Sequence, residues 1–339
     1  MDKGTHEALR TRRVHFGAGS LDKLKSELEG REKVFVVTGR SLAEKTDLVS
    51  KAEALLGDRH AGTYAGISQH TPTGAVKEAA RLAAGADLLV SVGGGSVVDG
   101  TKAVSRELGY VAQVAVPTTL SVAELAHLVG VTNDRGRKAG FVDRRAVPEA
   151  VIYDPQMTVH TPGRLWLSTG IRALDHAVEG YLYGGPHPVT DVTVLEGMSR
   201  LMRLLPKSRA RPDDLEVRGE LQVAAWLSYF APANTPMGLS HNLGKRLGAS
   251  YGIPHGVTSC ITLAPSLGFA ENDIEPRRWQ ALSDALGGEP DRRVASLVSE
   301  LGLPSSISEF DVPESDLEVI AGEFEGQEDR ALAILKAAY

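Results

Sequence analysis

The run Leu88-Leu89-Val90-Ser91-Val92 passes without a break into Gly93-Gly94-Gly95-Ser96, and a helical pattern resumes over 97–108. A continuous apolar strand has to be covered on both faces, which is the condition of a parallel sheet packed between helices. The neighbouring sequence repeats the arrangement. Val34-Phe35-Val36-Val37 is a second short strand, ending in Thr38-Gly39-Arg40-Ser41, and 111–116 is a third, closed by Pro117. Residues 43–56 and 75–84 read as helices between them. From about Arg164 the helical period dominates: 171–182, 190–205, 215–230, 236–247, 257–270 with a kink at Pro265, 293–301, 317–323 and 329–338. Residues 248–255 read as a turn-rich connection. The expected division is therefore an α/β domain over 1–160 and an all-helical domain over 161–339.

Composition narrows the function classes. A length of 339 residues fits two domains. Lys plus Arg number 37 against 43 Asp plus Glu, a net charge of −6. That balance speaks against nucleic-acid or polybasic membrane partners, which need a basic surface. One cysteine makes no intrachain disulfide and no paired-cysteine metal site. No stretch approaches 18 uninterrupted apolar residues, and the first 13 residues carry no apolar signal-type run. The expectation is a soluble, cytoplasmic protein.

The glycine run gains meaning from its place between a buried strand and a helix. Glycine lets backbone approach a ligand closely, and a helix N-terminus offers free N–H groups and a positive dipole end to a phosphate. The alternative is a plain strand-to-helix turn. Asp99 and Lys102 lie about a turn into that helix. Thr118 and Thr119, after Pro117, add hydroxyls at the same carboxyl edge, where open α/β sheets bind ligands. The segment after the first strand has no carboxylate to bond an adenosine ribose. Gly39, Arg40 and Ser41 stand there instead, so NADP(H) is expected to be accepted, unless Arg40 is only a solvated turn residue.

Three of ten histidines occupy small-residue settings. His176 lies in Ala173-Leu174-Asp175-His176-Ala177-Val178-Glu179-Gly180, His241 in Gly238-Leu239-Ser240-His241-Asn242, and His255 in Gly252-Ile253-Pro254-His255-Gly256. Each is either a satisfied core histidine or part of one cluster. Spacing does not show that they converge.

Taken in order, these segments resemble the iron-type (group III) alcohol dehydrogenases, and within them the maleylacetate reductase branch. Further matches are Phe16-Gly17-Ala18-Gly19, His70-Thr71-Pro72 and Val151-Ile152-Tyr153-Asp154-Pro155. The resemblance implies an N-terminal dinucleotide-binding domain and a helical C-terminal domain, the fold shared with dehydroquinate synthase, with the active site in the interdomain cleft. It implies NAD(P)H bound at Gly94, Gly95 and Ser96, with Asp99, Thr118 and Thr119 nearby. Lys138 falls where the family places a lysine near the cofactor ribose, or is a solvated lysine. A homodimer through the N-terminal segment around Val14-His15-Phe16-Gly17 is also implied.

Three departures from the pattern matter. Metal-dependent members carry a carboxylate four residues before the first histidine, and this chain has Arg172. Residues i and i+4 share a helix face, and a guanidinium has no acceptor and stays charged. A site without Zn or Fe is expected, the three imidazoles being the remaining donors. Asp175 sits about 100° around the helix from His176. Lys245 replaces the histidine that relays a proton in the family. It is read as a general acid or an anion-binding charge. Val122-Ala123-Glu124 replaces Gly-Ser-Glu. Arg172 and Lys245 make the expected cleft cationic and suited to a small anionic organic substrate. Arg172 either clamps a carboxylate or pairs with Asp175 or Glu179. The leading expectation is an NAD(P)H-dependent reductase of a carboxylated ene or keto acid, with His176, His241, His255 and Lys245 holding or protonating it. The alternative is a non-redox cyclase, lyase or synthase on the same scaffold. Cys260 and Trp166 read as core residues.

Overall fold

The computed structural model describes residues 5–8, 10–133, 138–233 and 235–339; of residues 138 and 139 it describes the backbone alone. In chain order the strands are β1 (Arg13–Phe16), β2 (Val34–Thr38), β3 (His60–Tyr64), β4 (Leu88–Gly93), β5 (Ala112–Pro117), β6 (Leu128–Thr132), β7 (Lys138–Val142) and β8 (Ala150–Tyr153). Among the described residues, six of them form one parallel sheet in the order β1-β8-β5-β4-β2-β3, and β6 and β7 form an antiparallel pair. The helices of this half are α1 (Leu24–Glu27), α2 (Arg40–Lys45), α3 (Leu48–Leu56), α4 (Thr73–Leu82) and α5 (Gly95–Glu107).

Period-two alternation explains why the strands are apolar throughout. Val34, Val36, Leu88, Val90 and Val92 pack on one face with Leu24, Leu28, Leu48, Val49 and Leu56. Phe35, Val37 and Leu89 point to the other face, against Val76, Ala79, Val97 and Val104. The helix expected over 43–56 is two helices. Thr46 is extended (φ −141°), and its hydroxyl bonds Leu42 O at 2.6 Å and accepts Leu48 N–H at 3.3 Å. That local bonding competes with helix continuation. At the sheet edge, Phe16 on β1 is 62% exposed.

The helical half contains α6 (Gly163–Tyr183), α7 (Thr190–Ala210), α8 (Leu215–Ser228), α9 (Leu239–Tyr251), α10 (His255–Gly268), α11 (Pro276–Leu286), α12 (Pro290–Glu300), α13 (Asp316–Ala321) and α14 (Glu328–Ala337). α9 continues four residues past its expected end, so the connection to α10 shrinks to 252–254, with Gly252 in the left-handed region (φ 68°) that a helix C-terminus favours. α11 was not anticipated, although Pro276 at its first turn, the Glu275 side chain accepting from Arg277 N and Arg278 N, and left-handed Gly287 are ordinary helix punctuation. Pro265 lies inside α10. Leu239, Leu243, Leu247, Val257 and Ile261 pack with Ile320, Ile334 and Leu335 as the core of this half. Internal contacts group Glu7–Thr161 with Asp213–Val223 as one unit, and Pro162–Pro212 with Ala224–Tyr339 as the other. No helix among the described residues is long and apolar enough to cross a membrane.

Candidate active site

In the sheet unit, Gly93 of β4 lies beside Pro117 of β5, and Thr118 N–H donates to Gly93 O at 3.0 Å. The glycine loop and the 118–121 segment therefore leave the sheet side by side. Glycine is needed there for space. A Cβ on Gly94 would come within 3.0 Å of Thr119 Cγ2, and one on Gly95 within 2.8 Å of Ser121 Oγ. Thr119 and Ser121 share a hydroxyl contact of 3.1 Å. Bare backbone at the start of α5, edged by hydroxyls, fits the diphosphate of a dinucleotide.

Other residues expected at the cofactor are engaged elsewhere. Asp99 bonds Lys102 Nζ at 3.1 Å and accepts Gly130 N–H at 3.2 Å. Lys102 is fully buried and also donates to Ala123 O and Ala126 O. This pair ties α5 to the 123–126 turn. Val122, preceding that turn, is buried and left-handed (φ 53°). Such a backbone strains a β-branched residue, and glycine is the residue that adopts it freely. Ser96 turns its hydroxyl to His70 N–H at 3.3 Å and its carbonyl to Thr71 Oγ1 at 2.9 Å. Gly39 caps α2, and Arg40 and Ser41 follow it on the surface, Arg40 lying 3.8 Å from Glu44. The Lys138 side chain lies outside the described residues.

In the helical unit, Arg172, Asp175, His176 and Glu179 follow the i, i+3, i+4, i+7 spacing that places side chains on one face of α6. All four are buried. Arg172 Nη1 donates to Ser259 Oγ of α10 at 2.9 Å and to Asp175 Oδ2 at 3.3 Å, while Ser259 Oγ donates to Asp175 Oδ2 at 2.7 Å. Arg172 Nη2 lies 3.2 Å from His241 Nε2 of α9. The His176 ring packs edge-on against Tyr229 at 5.4 Å and lies 5.5 Å from the His241 ring. Lys245 is half-buried one turn after His241, and His255 opens α10 at the surface. Burial, then the Arg172 charge, holds both His176 and His241 well below the usual imidazole range, and Lys245 and His255 add to the effect. Both imidazoles are neutral near pH 7. Their Nδ1 atoms, and Asp175 Oδ1, are buried without a hydrogen-bond partner among the described residues.

Sequence reasoning passed over Glu179 as a positioning residue. Its carboxylate accepts Ser240 N–H at 2.8 Å, Gly238 N–H at 3.0 Å and His241 N–H at 3.2 Å. It thereby caps α9 and fixes the first turn of that helix, which carries His241. A Cβ on Gly238 would stand 2.6 Å from Glu179 Oε1 and 2.0 Å from the Tyr183 ring, so glycine is required beside the cap. Ser259 and Tyr229 were also missed, since nothing local marks them. The Arg172–Asp175 pairing anticipated as an alternative is present, and it leaves Nη1 engaged by protein. Cys260 and Trp166 are buried; burial pushes the thiol well up, and the indole N–H donates to Ser208 at 3.0 Å.

The donor set does not fit a divalent cation. Among the described residues, no group of three or more His, Cys, Asp or Glu side chains is arranged to hold one. A guanidinium, which has no lone pair to give, faces His241 Nε2.

The chain is 33% identical to maleylacetate reductase of Pseudomonas sp. (strain P51) over 318 residues, covering 92% of this chain and 88% of that protein. It is 31% identical to maleylacetate reductase of Pseudomonas aeruginosa over 347 residues, 97% and 96% of the two chains. The crystal structure of maleylacetate reductase from Agrobacterium tumefaciens superposes with a TM-score of 0.92 at 27% identity, covering 100% of this chain and 99% of the other. Residues 11–155 match the iron-containing alcohol dehydrogenase family, and residues 166–331 match the C-terminal region of the Fe-containing alcohol dehydrogenase family. With the parallel sheet, the glycine loop and the histidine-bearing helices in place, the chain belongs to the iron-containing alcohol dehydrogenase family of oxidoreductases.

Proposed function

We propose that this protein is an NAD(P)H-dependent reductase of a small carboxylated ene or keto acid, maleylacetate being the leading candidate, and that it works without a metal ion. The observation that carries the reading is the buried Arg172 guanidinium on His241, where a metal-dependent enzyme needs a ligand. The curated relatives named maleylacetate reductase support the reaction class.

Gly94, Gly95, Ser96, Thr118 and Thr119 hold the dinucleotide diphosphate, flanked by Gly39, Arg40 and Ser41 at the adenosine end, with Lys138 toward the ribose. Asp99 serves indirectly, by fixing α5 through Lys102. When bound, the reduced nicotinamide supplies a hydride. His176 and His241, held neutral, orient the substrate through hydrogen bonds rather than charge. Arg172 and Lys245 supply the positive field that an anionic substrate requires, and Lys245 or His255 delivers the proton. The exposed Phe16 on the edge strand β1 supports a homodimer.

The test is NADPH or NADH oxidation followed by absorbance with maleylacetate and related keto acids, in chelator-treated buffer. Turnover that survives the chelator is expected. Tight nucleotide binding with no net nicotinamide oxidation for any of these acids would refute the redox reading. NADPH is expected to bind at least as tightly as NADH, and Arg40→Ala to weaken NADPH by a few-fold more than NADH, as befits one exposed charge contact. A strong NADH preference in the unmodified protein removes Arg40 from the site.

A further inference from the structure

The surroundings of Arg172 are more constrained than a substrate clamp requires. Arg172 is 7% exposed, His241 6%, and Asp175 and Ser259 are fully buried. Asp175 and Ser259 fix Nη1 from below, and Ser259 is itself bound to Asp175. This triangle leaves the planar group little freedom. At the Nη2 contact the guanidinium can only donate, so His241 accepts at Nε2 and carries its proton on Nδ1. The lone pair that an imidazole would offer a metal is committed to Arg172. Lys245 and His255 add positive potential around the same two rings, while the carboxylates of Asp175 and Glu179 balance it from α6.

We infer that Arg172 is the resident cation of this site: it takes the position and the charge of a divalent metal among the histidines, and polarises the reacting oxygen of the substrate. The polarising role rests on the reductase reading above; the displacement of metal does not. Three of the five guanidinium N–H groups are accounted for by Asp175, Ser259 and His241. The Nε–H and a second Nη2–H have no hydrogen-bond partner among the described residues, and these are the donors for the oxygen. A reduced nicotinamide bound in the sheet unit would give up a hydride to the substrate carbon and be left oxidised. The displaced carbon–oxygen or conjugated π electron pair moves to that oxygen, where Arg172 stabilises the negative charge. The substrate then takes one proton from Lys245 or His255, which water restores. Buried, fixed donors are effective here because they need no reorganisation as the charge develops.

Two measurements test this. Zinc titration by calorimetry, with metal analysis after dialysis, is expected to show no stoichiometric Zn²⁺ on the unmodified protein. Arg172→Asp, which places a carboxylate four residues before His176, is expected to gain about one equivalent, lost again when His241→Ala is added. Arg172→Asn serves as the second variant should the aspartate fail to fold. One zinc on the unmodified protein, released by His241→Ala, overturns the inference, as does a folded Arg172→Asp that binds none. In the second measurement, Arg172→Ala is expected to lower kcat by on the order of 10²–10³, the scale of a lost oxyanion donor. The Kd for NADPH should stay unchanged, and added ethylguanidinium should recover much of the rate. An alanine variant with unaltered kcat, or one that is folded and not recovered by ethylguanidinium, refutes the polarising role. Absence of any reductase activity in the unmodified protein would refute the proposed function while leaving the zinc result to stand by itself.

Discussion

Replacing Glu179 with glutamine preserves shape and removes a charge, so it reports what the charge does. The carboxylate accepts three backbone N–H groups at the start of α9, at 2.8, 3.0 and 3.2 Å. A carboxyl with three donors around it and no acceptor among the described residues has nowhere to direct a proton. Burial, then the neighbouring Asp175 charge, push the group well above the usual carboxylate range, although the backbone donors of His241 and Ser240 and the Arg172 charge oppose them; the donor geometry is what argues for the anion. In the glutamine variant one oxygen still accepts, but the amide nitrogen confronts a backbone donor. Leaving one buried donor unpaired costs about 1–3 kcal/mol, and losing the anion at a helix N-terminus costs up to about 2 kcal/mol more. Relief of carboxylate burial returns part of this, so the net expectation is about 2–4 kcal/mol. For a unit of roughly 150–250 residues each kcal/mol moves Tm by about 2–4 °C, which gives a drop of roughly 4–16 °C. Calorimetry measures the drop. The kinetic companion is a fall in kcat with unchanged nucleotide affinity, because the cap positions His241 and makes its three bonds within the helical unit. A change in Tm below about 1 °C with full activity would refute the reasoning. It would mean that Glu179 is already neutral and that glutamine replaces it bond for bond.

Other consequences are equally direct. Lys102→Met removes the buried ammonium that holds Asp99, Ala123 O and Ala126 O; breaking a buried pair costs about 3–5 kcal/mol, so calorimetry should show Tm falling with NADPH affinity falling alongside it. If Tm holds, the 123–126 turn does not depend on this lysine. Acid stability follows from the depressed imidazoles. The unfolded chain takes up protons on His176 and His241 below about pH 6.5 while the folded chain does not, so stability present above that pH is lost as pH falls, at about 1.4 kcal/mol per pH unit for each histidine. Denaturant titrations between pH 7 and 5 should show this slope, and His176→Gln should reduce it by about one proton; an unchanged slope means that His176 is protonated in the folded state.

Architecture and family are legible in the order of the residues alone. Consecutive apolar residues in 34–37 and 88–92 forced strands covered on both faces, and the glycine run placed backbone without side chains at their carboxyl edge. The spacing of Arg172 and His176 put a guanidinium and an imidazole on one helix face, because i, i+4 geometry is fixed within a single helix. Local signals for α11 and for the break at Thr46 were also present, as proline, glycine and hydroxyl punctuation. Tertiary structure alone decided what those side chains meet. Ser259 lies 87 residues from Arg172 and His241 lies 69 away, so no local pattern announces either contact. It decided that Asp99 turns to Lys102 and Gly130, that Glu179 caps a helix some sixty residues later, and that two histidines are neutral. Hydrogen-bond partners and protonation states depend on what covers a side chain and how much water remains beside it. Those are properties of packing between distant elements, and they come into being only when the chain has closed on itself.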